Sequence, residues 1–348
     1  MAKYTVTLLP SGSQIECQSG QSILRQALNQ GISIPFSCLS GVCRTCRGRV
    51  LSGEVDTGQV HPNYLNDEDR AAGFVHLCQA KAHSDCEIEV KEIDTSLTHP
   101  ARALPGRILD MQKLAPDVMR ILVGLPANEP LYFHAGQYLS LSLTGGLSRF
   151  YSIATSPLIE GVRQFELHIR HMPGGIFTDH VFGEMKLRSL VRIEGPIGNF
   201  YLREDSEKPM ILLASGTGFG PIKAIVEYSL MQGSTRPIHI YWGGRLRRDL
   251  YLHELAESWA SQNLHIRYTP VLSLPSDACA WEGRVGFVHR AVLEDYPNLA
   301  NYQVYACGAP VVIESARRDY KLASLPDDEF LADSFVSLAD TATASHNE

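Results

Sequence analysis

Four cysteines near the start of the chain, Cys38, Cys43, Cys46 and Cys78, constrain its folding more than any other feature. Three lie in one run, Cys38-Leu39-Ser40-Gly41-Val42-Cys43-Arg44-Thr45-Cys46, spaced C-x4-C-x2-C, and the fourth stands alone in His76-Leu77-Cys78-Gln79. Three thiolates can curl around one inorganic centre within such a loop, and Gly41 lets the backbone pass close to it without a Cβ. Cys78 must then arrive from another part of the fold. Zinc sites favour two short ligand pairs, and the pattern here is three and one. Disulfides need an oxidising compartment, yet Met1 to Leu9 has no basic region followed by an apolar core of signal-peptide length. The chain therefore reads as cytoplasmic with reduced cysteines, spaced as ligands of a plant-type [2Fe–2S] cluster, a one-electron carrier. Of the eight cysteines, Cys17, Cys86 and Cys279 lie in no motif and read as packing residues.

A length of 348 residues implies about two to three domains. No apolar run approaches the roughly 20 residues of a membrane helix. The formal charge of -7 is spread along the chain, so neither a nucleic-acid footprint nor a polybasic membrane patch is present.

Residues 1–93 form the first expected domain: strand Tyr4 to Leu9, a turn, strand Ser13 to Gln18, and a helix over Ser22 to Gln30 stopped by Gly31. The cysteine loop follows, then strand Gly48 to Leu51, a turn-rich stretch around Asn66 to Asp69, and strand Glu87 to Val90. Residues 94–104 read as a linker. Across 105–203, short alternating segments separated by Gly and Pro turns argue for an antiparallel β-barrel. Across 204–335 the pattern becomes apolar strand, glycine loop and helix, the mark of a parallel nucleotide-binding sheet. The tail 336–348 is small and polar, and disorder is expected there.

Several motifs carry chemistry in these later domains. Alternation in Arg149-Phe150-Tyr151-Ser152-Ile153 puts Arg149 and Tyr151 on one face and Ser152 on the other, a pattern that also suits any half-buried strand. Gly174-Gly175 opens a helix whose exposed N–H groups could hold a diphosphate, or marks a plain turn. Ser215-Gly216-Thr217-Gly218-Phe219-Gly220-Pro221 lies between strand and helix but is not the G-x-G-x-x-G fingerprint. Pro221 suits a first helical turn. Tyr241 to Arg245 and Cys307 to Pro310 end strands where an open sheet accepts ligand, although Cys307 also fits as a buried strand-end thiol. Arg245, Arg247 and Arg248 could neutralise a 2'-phosphate or form a solvated cluster.

Hairpin, helix and cluster loop in this order resemble the β-grasp fold of plant-type ferredoxins. The motifs Arg149-x-Tyr151-Ser152 and Gly216-Thr217-Gly218-x-x-Pro221 resemble those of the ferredoxin-NADP reductase superfamily. As a whole, the chain up to Phe335 resembles the three-part NADH reductase components of ring-hydroxylating oxygenases and related bacterial monooxygenases. That resemblance implies roles for individual residues. Arg149 would pair with the flavin pyrophosphate, Tyr151 would pack against the isoalloxazine or ribityl chain, and Ser152 would sit near N5. His168, Arg170, Gly174, Gly175 and Thr178 belong to a second flavin-binding segment that favours FAD over FMN. Gly216, Thr217, Gly218, Pro221 and Arg245 would receive NADH, and Cys307 would lie near the hydride-donating carbon. Phe335 would cover the flavin, unless it is a core residue.

The implied reaction passes hydride from NADH to FAD, then single electrons to the cluster and on to a terminal oxygenase in aromatic hydrocarbon catabolism. The expected protein is a monomer with no nucleic-acid or membrane partner. Two alternatives stay open: a reductase feeding a deoxysugar dehydratase, and a non-enzymatic metal-binding module. One departure stands out, since many relatives have Gly where this chain has Arg44. A cation there should raise the cluster potential by stabilising its reduced form.

Overall fold

The computed structural model describes residues 2–62, 64–92, 99–143, 145–276 and 280–335. It divides into two units, one comprising the residues before 99 together with those from Asp333 onward, and the other His99–Ala332. Cys279 and the expected tail lie outside the described residues, as do residues 94–98 of the expected linker.

In the first unit, period-two burial of Val6, Leu8, Ile15 and Cys17 sets the hairpin of β1 (Lys3–Leu9) and β2 (Gln14–Gln18). Ser22 caps α1 (Ile23–Asn29) by accepting from the Arg25 N–H at 3.4 Å, and Gly31, at φ 78°, follows its end. Then come β3 (Arg47–Ser52), β4 (Val55–Asp56), α2 (Asp67–Ala71), β5 (Phe74–His76), β6 (Lys81–Ala82) and β7 (Cys86–Glu89). The main sheet runs β2-β1-β7-β3-β5 with β1 and β7 parallel, the β-grasp arrangement. The stretch expected to be turn-rich contains α2, because Asn66 caps it by accepting from the Asp69 N–H at 2.7 Å. Cys17 and Cys86 are buried packing residues.

The second unit begins with a six-stranded antiparallel barrel. Its elements are β8 (Arg102–Ala115), β9 (Val118–Gly124), β10 (Tyr138–Leu143), β11 (Ser148–Ser152), β12 (Gln164–Arg170), α3 (Ile176–Gly183) and β13 (Leu190–Ile197). The order is β11-β10-β13-β8-β9-β12. Closure between β11 and β12 rests on the bridge Ile153–Leu167 and the Ala154 N–H donating to the Glu166 carbonyl at 2.9 Å. β8 starts inside the expected linker, since Arg102, Ala103 and Leu104 already pair with Gly195, Glu194 and Ile193 of β13. Pro105 does not delay the strand: although it has no N–H donor and a fixed φ, it stands opposite Arg192 within the ladder.

The unit continues with β14 (Met210–Ser215), α4 (Phe219–Met231), β15 (Ile238–Gly244), α5 (His253–Gln262), β16 (Ile266–Leu272), β17 (Arg284–Val285), α6 (Val288–Asp295), β18 (Gln303–Gly308), α7 (Pro310–Leu322) and β19 (Phe330–Ser334), whose last two residues are counted with the first unit. The sheet runs β17-β16-β15-β14-β18-β19, parallel from β17 to β18. The chain builds outward from β14 to β17 and then returns to the other side of β14 as β18. A crevice therefore opens at the carboxyl ends of β14 and β18, the usual ligand position in such a sheet. Among the described residues no helix is long and apolar enough to cross a membrane.

Candidate functional site

The cysteine run forms a loop between α1 and β3, and Cys78 follows β5. Leu39, Gly41 and Arg44 all take positive φ, 57°, 83° and 58°, which folds the loop back on itself. The N–H groups of Cys38 and Ser40 point at the sulfurs of Cys43 and Cys38, at 3.5 and 3.4 Å. Leu77 N–H donates to the Cys46 carbonyl at 2.9 Å, the His76 Nδ1 meets the Gly41 carbonyl at 2.8 Å, and Gln79 Nε2 donates to the Leu39 carbonyl at 3.1 Å. These bonds deliver Cys78 to the loop.

The thiols fall into two pairs. Cys38 is pulled down to about 7 chiefly by the hydrogen bond from Cys43, whose own thiol is pushed well up by the same bond and by burial. Cys78 is likewise lowered chiefly by Cys46, and Cys46 is raised. The pairs also act on one another, Cys43 on Cys46 and Cys78 and Cys78 on Cys38, so the four thiols share one centre, as the ligands of a [2Fe–2S] cluster would. Arg44 and Arg47 both pair with Asp69, the first at 3.5 Å, and the Arg47 guanidinium lies 3.6 Å over the Phe74 ring. Close by in the same unit, Ser37 Oγ donates to Asp333 Oδ1 at 2.6 Å, and half-buried Phe335 follows two residues on.

On the barrel, β11 presents Arg149 and Tyr151 on one face and buries Ser152 on the other. Arg149 Nη1 donates to the Ser148 carbonyl at 2.7 Å. The Tyr151 ring lies 5.4 Å from Phe177 of α3, so the motif strand and the glycine-led helix are brought together. Burial pushes the Tyr151 phenol up and keeps it neutral. Gly174 turns at φ 83°, and Thr178 Oγ1 accepts from the Met172 N–H at 3.1 Å and donates to its carbonyl, closing the turn before α3. Thr178 thus shapes the glycine turn. Phe150, Met172 and Ile176 leave apolar surface exposed around Ser152 and the glycine pair, which a bound planar ring system would cover.

His168 is turned inward, its Nδ1 at 3.0 Å from the Tyr251 hydroxyl. Arg170 reaches the nucleotide loop instead: a Cβ at Gly216 would lie 3.4 Å from Arg170 Nη2, a buried nitrogen with no hydrogen-bond partner among the described residues. Asp117 holds the other guanidinium nitrogen at 3.1 Å. An orphaned guanidinium nitrogen at a glycine turn fits an incoming pyrophosphate.

Gly216–Gly218 forms a short 3-10 turn leading into α4, with Pro221 buried in the helix's first turn. Phe219 stacks on Trp242 at 3.8 Å between centroids, and Trp242 Nε1 donates to the Gly216 carbonyl at 3.0 Å. Cys307 is buried at the end of β18 beside Ala214, and the Ala309 N–H donates to Ser215 Oγ at 2.9 Å. Arg245 directly follows β15 with an exposed side chain; its N–H and that of Leu246 donate to Asp249 Oδ2 at 2.8 and 3.0 Å. A cavity of about 490 Å³ beside this turn is lined by Arg247, Arg248, Tyr251 and His253.

Asp117, Asp249 and Tyr251 escaped sequence reasoning as site residues, while Trp242 lay within the marked segment Tyr241 to Arg245. Of the three, only Asp249 carried a signal, standing next to the arginines already marked.

Three family models match the chain in the order its geometry requires. They are a 2Fe-2S iron-sulfur cluster binding domain at residues 6–83, an oxidoreductase FAD-binding domain at 105–201 and an oxidoreductase NAD-binding domain at 212–318. Fold and site thus define an iron–sulfur flavoprotein oxidoreductase that uses a [2Fe–2S] cluster, FAD and a nicotinamide dinucleotide. More particularly, the chain belongs to the family of three-domain reductase components with an N-terminal ferredoxin domain. It is 38% identical over 331 residues to the Yersinia pestis CDP-6-deoxy-L-threo-D-glycero-4-hexulose-3-dehydrase reductase, covering 95% of this chain and 98% of that one. It is 33% identical to the reductase component of phenol 2-monooxygenase from a Pseudomonas species, covering 98% and 97%. The crystal structure of an Amycolatopsis cytochrome P450 reductase matches with a TM-score of 0.76 at 33% identity, over 96% and 99% of the two chains.

Proposed function

We propose that the chain carries electrons from NADH to a separate iron-containing terminal oxygenase. The bound cofactors would separate one hydride into a proton and two single electrons, the conversion that flavin and iron–sulfur groups supply. The protein's part is to bind and orient. Gly216 to Pro221 and Arg170 would seat the dinucleotide, with Cys307 beside its reactive end. Ser152, Tyr151 and Arg149 would hold the flavin, Gly174, Gly175 and Thr178 its diphosphate turn, and Phe335 would cover its ring. The sulfurs of Cys38, Cys43, Cys46 and Cys78 would hold the cluster at which electrons leave. The observation that carries this reading is the pairing of these four thiols in one chain with a barrel and a nucleotide sheet that share a glycine-lined crevice.

A second acceptor class, a deoxysugar dehydrase, draws support from the 38% identity to the Yersinia pestis reductase over nearly its whole length. Purified protein should show flavin bands over broad iron–sulfur absorption, bleached anaerobically by NADH. Its reoxidation by purified oxygenase components and by a dehydrase then separates the acceptors. A colourless protein, or one that NADH fails to bleach, rejects the reductase reading. Equal or better use of NADPH would make NADPH the donor, with Arg245, Arg247 and Arg248 neutralising its 2'-phosphate.

A further inference from the structure

Helix α4 begins at the nucleotide loop, and one charged side chain ties it to the flavin barrel. Lys223, whose side chain is 12% exposed, donates from Nζ to the Ala154 carbonyl at 3.0 Å and to Glu227 Oε2 at 2.8 Å. The same nitrogen lies 2.6 Å from Glu166 Oε1. Ala154 is two residues beyond Ser152, and Glu166 lies on the strand that closes the barrel against that segment. Glu166 in turn lies 3.6 Å from His168 Nε2, and His168 bonds Tyr251, whose ring meets Trp242 edge-on at 5.1 Å. At the helix start the two halves come close again, since a Cβ at Gly220 would lie 3.5 Å from both Ala154 Cβ and His168 Nδ1.

We propose that Lys223 is a positioning residue that sets the nucleotide loop in register with the Ser152 strand, so that dinucleotide and flavin meet at a fixed separation. The inference rests on the proposed function. Stability alone explains the arrangement poorly, because a buried ion pair costs desolvation that an apolar pair of the same volume avoids. Two hydrogen-bond acceptors and the Glu166 carboxylate in ion-pair contact, placed around one ammonium, specify a geometry instead. Burial pushes the Glu166 carboxyl up, yet His168 and Lys223 outweigh it and hold it down at about 2, so the anchor stays charged.

The test compares wild type with Lys223→Met and Lys223→Arg. Without nucleotide, amide hydrogen exchange over 216–221 should speed up by about tenfold in Lys223→Met while FAD and cluster absorbance stay intact. With NADH, binding affinity should change little, flavin reduction should slow about tenfold to a hundredfold, and the long-wavelength absorbance between stacked dinucleotide and flavin should weaken. Lys223→Arg should recover most of each signal. Unchanged exchange and reduction rates in a Lys223→Met protein that retains FAD would overturn the proposal, as would a rate that falls only in proportion to FAD lost. Should Lys223→Met fail to hold FAD, Lys223→Gln with Glu166→Gln removes both charges and is judged on the same readings. The exchange measurement needs no turnover, so a wild type that NADH cannot reduce would reject the proposed function while this arm still decides the role of Lys223.

Discussion

The main-chain carbonyl of Cys307 occupies the space that a side chain at residue 218 would need, so Gly218 and Cys307 hold the nucleotide loop against the end of β18 by direct backbone contact. Gly218→Ala must push these two segments apart. Reduction of flavin by NADH should fall about a hundredfold, with FAD and cluster absorbance retained. Stopped-flow reduction checks this, and a rate close to wild type would refute the contact's importance.

Arg44 takes φ 58°, where a side chain costs roughly 1–2 kcal/mol against glycine, and its guanidinium lies 3.5 Å from Asp69. Arg44→Gly removes the strain and a positive charge beside the cluster together. The cluster midpoint should move to a more negative potential while thermal stability holds or rises. An EPR-monitored redox titration reads the first; an unchanged or higher midpoint contradicts it.

Cys78 is the thiol that comes from outside the loop, paired with Cys46. Cys78→Ser should abolish the cluster absorbance and EPR signal yet leave NADH-dependent reduction of ferricyanide through the flavin. Loss of both activities together would mean that cluster and flavin sites do not fold independently of that ligand.

His239, in β15, has both ring nitrogens engaged, by the Tyr296 hydroxyl at 2.9 Å and Thr269 Oγ1 at 2.8 Å. Burial lowers its pKa from 6.5 to about 4. The unfolded chain therefore binds the proton first, so the stability from a neutral ring is complete above pH 6.5 and is lost as pH falls towards about 4. Melting temperature should drop across that window, and His239→Gln should flatten the drop. An equal pH slope in both proteins would exclude His239 as its source.

Local patterns written in consecutive residues were legible from sequence. The cysteine spacing, the alternation through Arg149–Ser152 and the glycine loop at Gly216 each carry their signal within a few positions. What stayed hidden depends on distant partners. Arg170 reads as one more cofactor cation until Asp117 and Gly216 appear beside it. Lys223 carries no motif of its own, because its partners Ala154 and Glu166 lie more than fifty residues earlier in the chain. Helix α2 was missed because its Asn66 cap and acidic first turn are composed like a loop.

The barrel is a ring with one weak link. Its other strand pairs hold long ladders, whereas among the described residues the β11–β12 seam, directly after Ser152, is the short bridge Ile153–Leu167 with the Ala154 N–H on the Glu166 carbonyl and the Glu166 N–H on Thr155 Oγ1. A ring under thermal stress parts where fewest bonds cross, and here that place adjoins the residues proposed to grip the flavin. Warming should accordingly release flavin while most of the barrel is still folded, so flavin fluorescence should rise at a lower temperature than the loss of far-ultraviolet ellipticity. Coincident transitions would show that the seam is no weaker than the rest of the ring.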